Sequence, residues 1–214
     1  MNKIKLAPFL VMLSLCVNLT KAQTNRGRAF EYLAGEMLFG VGLNVVSDGG
    51  IKNMSETLHF SNPFIVGAEY TITNQFSVNA SLSFNKYKVG KVLEGEYVIQ
   101  EPKEPLYSAF DVVAKFYVRE ALNLYDIEPY LFVGTGTTTI GSYVNQAYAV
   151  DKKARMTINT GFGANYWFSA RWGANVNFMG KWGTNKKDKS AHITNQMQFA
   201  FGVFYSPKVI NWRS

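Results

Sequence analysis

Four charged side chains stand out because they interrupt stretches that otherwise alternate apolar with small polar residues: Glu69, Asp111, Lys115 and Lys181. Two carboxylates and two amines held in dry surroundings have two possible uses. They can neutralise one another in ion pairs, since an unpaired buried charge is too costly to keep, or they can line an ion-sized path that opens as the pairs rearrange. Patterns that carry catalysis or ligation are missing from the sequence: it has no glycine-rich phosphate loop, no paired-carboxylate motif and no His-Glu-x-x-His. His59 and His192 lack neighbouring ligands and read as surface residues. Cys16 is the only cysteine, so neither a disulfide nor a thiolate metal site is available. These features predict no enzyme activity, no cofactor and no metal.

The elements that position the four charges are strands. Met37, Phe39, Val41, Leu43 and Val45 share one face, with Leu38, Gly40, Gly42 and Asn44 on the other. Phe76, Val78, Ala80, Leu82 and Phe84 likewise oppose Ser77, Asn79, Ser81, Ser83 and Asn85. Period-two alternation of this kind belongs to strands with two different faces. Eight such runs are predicted, at about 36–46, 63–73, 76–86, 107–118, 128–137, 155–167, 171–182 and 193–205. Long polar connections at about 47–62, 86–106, 138–154 and 183–192 alternate with short ones at 74–75, 119–127 and 168–171.

The N-terminus follows a different logic. Lys3 and Lys5 precede an apolar run from Leu6 to Val17, and Thr20-Lys21-Ala22 offers small residues on either side of a lysine. A basic start, an apolar core of roughly 7–15 residues and a small-x-small cut describe a secretory signal peptide. Residues 1–22 are therefore expected to be removed, leaving 23–214 as one domain. The whole chain carries 22 basic and 15 acidic residues; losing Lys3, Lys5 and Lys21 leaves 19 against 15, a net +4. An exported, mildly basic chain without a basic-aromatic binding motif is a poor nucleic-acid binder, and lysine clusters in loops suit lipid headgroups or solvent.

Face chemistry separates the possible β architectures. A soluble sandwich or lipocalin-like barrel would pack its bulky face inward, and a periplasmic binding module of that type is one alternative. Here the bulky face is aromatic and aliphatic, while the other carries Gly, Ser, Asn, Thr and Gln. An eight-stranded barrel has room inside only for side chains, and a closed barrel satisfies every backbone group in lipid. The sequence therefore predicts an all-β, eight-stranded, antiparallel, up-and-down transmembrane barrel with a small polar lumen. Tyr70, Phe76, Tyr166, Trp172 and Tyr205 near the short turns, with Tyr107 and Trp182 near the long loops, are the expected lipid-interface aromatics.

Three segments add a family resemblance. Phe39-Gly40-Val41-Gly42-Leu43-Asn44-Val45-Val46-Ser47-Asp48-Gly49-Gly50 resembles the first hairpin of OmpA-type barrel domains. Ser83-Phe84-Asn85-Lys86 and Pro129-Tyr130-Leu131-Phe132-Val133-Gly134 are similar to the same broad outer-membrane family. The resemblance implies an outer-membrane location and contact with its lipids, and it carries the fold better than any activity. The soluble peptidoglycan-binding domain that follows the barrel in OmpA proper has no counterpart in the 214 residues.

The functional expectation is an integral outer-membrane protein with a structural or loop-mediated role. Loops 86–106 and 138–154 are the candidate partner surfaces, because specificity concentrates in loops on a rigid scaffold. A narrow pore for ions or small solutes is the second reading, and a hydrolytic site at the outer rim is a third without motif support.

Overall fold

The computed structural model describes residues 34–47, 58–59, 62–90, 92–93, 97–100, 104–118, 127–145, 148–150, 153–184 and 195–208. The expected signal, residues 1–22, and His192 lie outside them. Eight long strands form the body: β1 (Met37–Ser47), β2 (Phe64–Thr71), β3 (Phe76–Lys86), β4 (Leu106–Tyr117), β5 (Ile127–Ile140), β6 (Lys153–Trp167), β7 (Trp172–Gly183) and β8 (Asn195–Tyr205). Each pairs antiparallel with its neighbour in sequence, and β8 closes on β1 from Phe39↔Tyr205 to Ser47↔Met197. Closure leaves none of the eight long strands with a free edge. Strand limits differ from the expected ones chiefly at β5, which runs on to Ile140 through Thr137, Thr138 and Thr139, all of them β-branched.

The register fixes the geometry. Following paired residues from Met37 through Tyr70, Val78, Ala114, Val133, Thr160, Gly180 and Met197 returns to β1 at Ser47. The circuit is displaced by ten residues, from 37 to 47. Eight strands with this stagger tilt about 40° from the axis and enclose a cylinder of roughly 8 Å radius.

Alternation sorts the faces as the periodicity predicts. Phe39, Leu82, Phe110, Leu131, Val133, Phe162 and Phe201 point outward and are exposed. Gly134 and Gly136 share the inward side of β5, which turns Leu131, Val133 and Thr135 out. Tyr70, Phe76, Tyr166, Trp172 and Trp182 are exposed on the outer surface, and Tyr205 is half-buried there against the Trp172 ring at 4.9 Å. Tyr107 is the exception. Its place near a long loop puts it among the expected outward aromatics, yet its side chain is fully buried in the lumen. It has the same parity as Asp111 and Lys115 on β4, and a pleated strand sends all three to one face.

Two of the short connections use hydroxyls, and the third, at 119–127, lies almost wholly outside the described residues. Thr73 Oγ1 accepts from the backbone N–H groups of Gln75 and Phe76 at 3.2 and 3.0 Å. Ser169 Oγ does the same for Arg171 and Trp172 at 3.3 and 3.1 Å. Each adds a local side-chain bond to the backbone bonds that close the turn, from Thr73 N–H to Phe76 O at 3.0 Å and from Ser169 N–H to Trp172 O at 3.1 Å. At the opposite end the loops fold on each other. Tyr148–Val150, Tyr143–Asn145, Tyr97–Gln100 and Val92–Leu93 form a separate four-stranded sheet in that order. Loops 86–106 and 138–154 are thereby joined through Ile99↔Asn145 and Gln100↔Val144. In the first long loop, Leu58–His59 pairs with Val46 and Ser47, so the backbone of His59 extends the end of β1.

Candidate functional site: the layered lumen

Inward residues of the eight strands stack in levels. Carrying the register around the barrel brings Leu38, Thr71, Ser77, Tyr117, Glu128, Trp167, Gly173 and Phe204 to one level near the short turns, one from each strand. All eight are buried. Trp167 and Phe204 meet edge to face with ring centroids 4.6 Å apart, and Leu38 joins them in one buried apolar cluster. Trp167 Nε1 donates to Glu128 Oε2 at 2.7 Å. This level is the floor of the lumen.

Above the floor the first ion pair forms. Lys115 Nζ lies 2.5 Å from Glu69 Oε2 and 4.4 Å from the centroid of the Tyr130 ring. The other oxygen of Glu69 accepts from Ser77 Oγ at 2.5 Å and from the Tyr117 hydroxyl. An amide ladder continues the network: Asn177 Nδ2 donates to Asn175 Oδ1 at 3.0 Å, and Asn175 Nδ2 serves Tyr130 Oη and Asn165 Oδ1 at 2.7 and 2.6 Å. Both oxygens of Glu69 are thus met by donors, with the Lys115 ammonium on one and two hydroxyls on the other.

Beside this network is a cavity of about 90 Å³. Gly40, Gly42, Gly67 and Gly202 line it together with Asn79, Lys115, Asn175 and Asn177. Gly42 and Gly202 face each other across the β1–β8 seam. A Cβ on either would sit 2.7 or 2.8 Å from the opposite Cα, so the backbones approach closely there. Gly40 is different: a Cβ would meet nothing nearer than 3.7 Å and would simply fill the cavity.

The second ion pair lies higher. Lys181 Nζ is 2.6 Å from Asp111 Oδ2 and 3.2 Å from Tyr107 Oη, while Asn159 Nδ2 donates to Asp111 Oδ1 at 2.7 Å. Asn44, Ser83 and Gln198 share this level on the facing strands, each fully buried. The mouth above is closed by an apolar cluster of Val46, Tyr87, Ile99, Tyr107, Ala109 and Ile140. Ile99 belongs to loop 86–106 and not to a barrel strand.

The four charges singled out in the sequence therefore meet as two separate pairs, Glu69 with Lys115 and Asp111 with Lys181. The lumen departs from the expected small polar filling. Tyr117, Tyr130, Phe132, Trp167 and Phe204 occupy it, and glycines on adjacent strands make the room. A Cβ at Gly163 would stand 2.5 Å from the Tyr130 hydroxyl oxygen, and one at Gly161 2.5 Å from Phe132 Cζ. Glu128, Trp167 and Phe204 fall outside the expectation of a lumen of small residues, although each has the parity opposite to an outward neighbour. Among the described residues no group of three or more His, Cys, Asp or Glu could hold a metal, and no helix is long and apolar enough to cross a membrane, which says nothing of strands.

No protein-family model matches the chain, and neither does any curated protein. Solved structures do. OprG from Pseudomonas aeruginosa superposes with a TM-score of 0.55 at 10% identity, covering 82% of this chain and 97% of that one. Neisserial surface protein A gives 0.53 at 12% identity, covering 79% and 94%. At such identities the likeness carries the fold: a small, eight-stranded, up-and-down transmembrane β-barrel of the outer-membrane type.

Proposed function

We propose that this chain is an integral outer-membrane protein that acts without catalysis, as a structural element of the envelope and as a platform for its joined outer loops. On this reading residues 1–22 are the export signal. Tyr70, Phe76, Tyr166, Trp172, Trp182 and Tyr205 sit at the two headgroup levels. Trp172 and Trp182 are ten residues apart on β7, about 25 Å along the axis at a tilt of about 40°, which suits the apolar band of such barrels. The observation that carries the proposal is the filled lumen beneath a fused loop surface. The floor, two ion pairs and the mouth cluster occupy the interior, while loops 86–106 and 138–154 share one sheet above it. Within this reading the ion pairs are structural, and partners engage loops 86–106 and 138–154.

A narrow pore for ions or small solutes is the second reading, favoured by the cavity beside Lys115. Planar-bilayer recording of the purified protein separates the two. Absence of unitary current, with an unboiled band that runs ahead of the boiled one on SDS gels, is the expected result. Steady ion-selective steps would replace the structural reading with the pore.

A further inference from the structure

The two ends of the lumen are closed by different means. At the floor, the Trp167 indole, the Ser77 hydroxyl and the Tyr117 hydroxyl all have acceptors in the barrel wall. At the level of the second ion pair this is not so. Both polar atoms of the Asn44 side chain, both of Gln198, and the hydroxyls of Ser83 and Thr157 are buried without a partner among the described residues. A buried amide left unpaired carries the full desolvation cost of its polar atoms, and native proteins relieve it with protein or water partners. The cover over this belt is the Ile99 side chain, packed among Val46, Tyr87, Tyr107 and Ile140. It is carried by a four-residue strand of the loop sheet, with Gly90 N–H donating to Ile99 O at 2.8 Å. The floor is made of residues on the barrel strands themselves, whereas the cover hangs on a loop.

We propose that the outer half of the lumen is a lidded hydrophilic vestibule, filled by water and small hydrophilic solutes from the loop side when Ile99 withdraws, while the floor stays shut. Unpaired amides favour the hydrated, open arrangement; the apolar contacts of Ile99 favour the closed one. The vestibule is blind, since anything reaching Asn44 and Gln198 still faces Trp167 and Phe204 below. This goes beyond the structural reading and does not need the barrel to conduct.

Thiol accessibility tests it. The full chain, with Cys16→Ala so that no other thiol is present, receives Ser83→Cys or, as an independent reporter, Thr157→Cys, and is reconstituted into vesicles with one orientation. A membrane-impermeant methanethiosulfonate is added on the loop side or the turn side, and folding is checked by the mobility of the unboiled band. Labelling is expected from the loop side only, and Ile99→Ala should speed it by roughly tenfold or more as the apolar anchor is lost. Phe204→Ala should add labelling from the turn side. The vestibule is overturned if neither reporter reacts from the loop side in the Ile99→Ala background, or if turn-side labelling is as fast without Phe204→Ala. Unitary current from the unmodified protein would defeat the structural reading, with the labelling sidedness still deciding the vestibule.

Discussion

Lys115 and Glu69 are 46 residues apart in sequence and 2.5 Å apart in the lumen, with the Tyr130 ring against the ammonium. Both side chains are more than nine-tenths buried, so neither charge has water to fall back on. Removing one partner should therefore cost far more than removing both. Lys115→Met or Glu69→Gln alone is expected to destabilise the barrel by about 3–5 kcal/mol, and the double variant to recover most of that loss. Urea unfolding of the lipid-reconstituted protein measures it; additive losses would mean that the pair is not coupled.

The β1–β8 seam should be intolerant of side-chain volume. Gly202 opposes Gly42, and each lacks room for a Cβ. Gly202→Val is expected to abolish the SDS-resistant, fast-migrating band, because the clash is with backbone and cannot be relieved by a rotamer. Gly40→Ala, two residues along β1, should retain the band, since its Cβ enters the cavity.

The four tryptophans are not equivalent. Trp172 and Trp182 are exposed on the outer surface, whereas Trp167 is buried in the floor. In variants that keep a single tryptophan, headgroup-level lipid quenchers should extinguish Trp172 and Trp182 emission and leave Trp167 bright. Quenching of Trp167 by lipid would reverse the assignment of its face.

Much of this was legible in the sequence. Alternation is a strictly local signal, so the outward faces of β1, β3, β7 and β8 followed directly from residue order, as did the inward placement of all four charges. What alternation cannot contain is the stagger between strands. Glu69 meets Lys115 and not Lys181 because the register displaces the circuit by ten residues, a property of the closed cylinder that no single strand records. Tyr107 shows the opposite failure. Its parity matched Asp111, but its place near a loop end suggested a headgroup aromatic, and the stiffer rule prevailed. Glu128, Trp167 and Phe204 were hidden by size: a lumen expected to hold small residues left no place for them until the glycines opposite came into view.

The hydrogen bond within the floor yields a further expectation. Trp167→Phe preserves the ring contact with Phe204 but takes a donor from the buried Glu128 carboxylate. A loss of about 1.5–3 kcal/mol is expected, the usual range for a hydrogen bond to a charged group, with the fast-migrating band retained. Chemical denaturation against the unmodified protein checks it, and an unchanged midpoint would show that Glu128 is satisfied without the indole.

The pairing of β8 with β1 has an effect on how the molecule could be rewired. On the turn side, Glu36 and Lys208 are 2.8 Å apart, one just before the first strand and the other just after the last. Strand order around the cylinder is thus a ring, and which member comes first is a matter of where the peptide happens to be cut. A short linker across that ion pair, with a new opening at the Asn74–Gln75 turn, would give a circular permutant with the same neighbours, the same levels and the same floor.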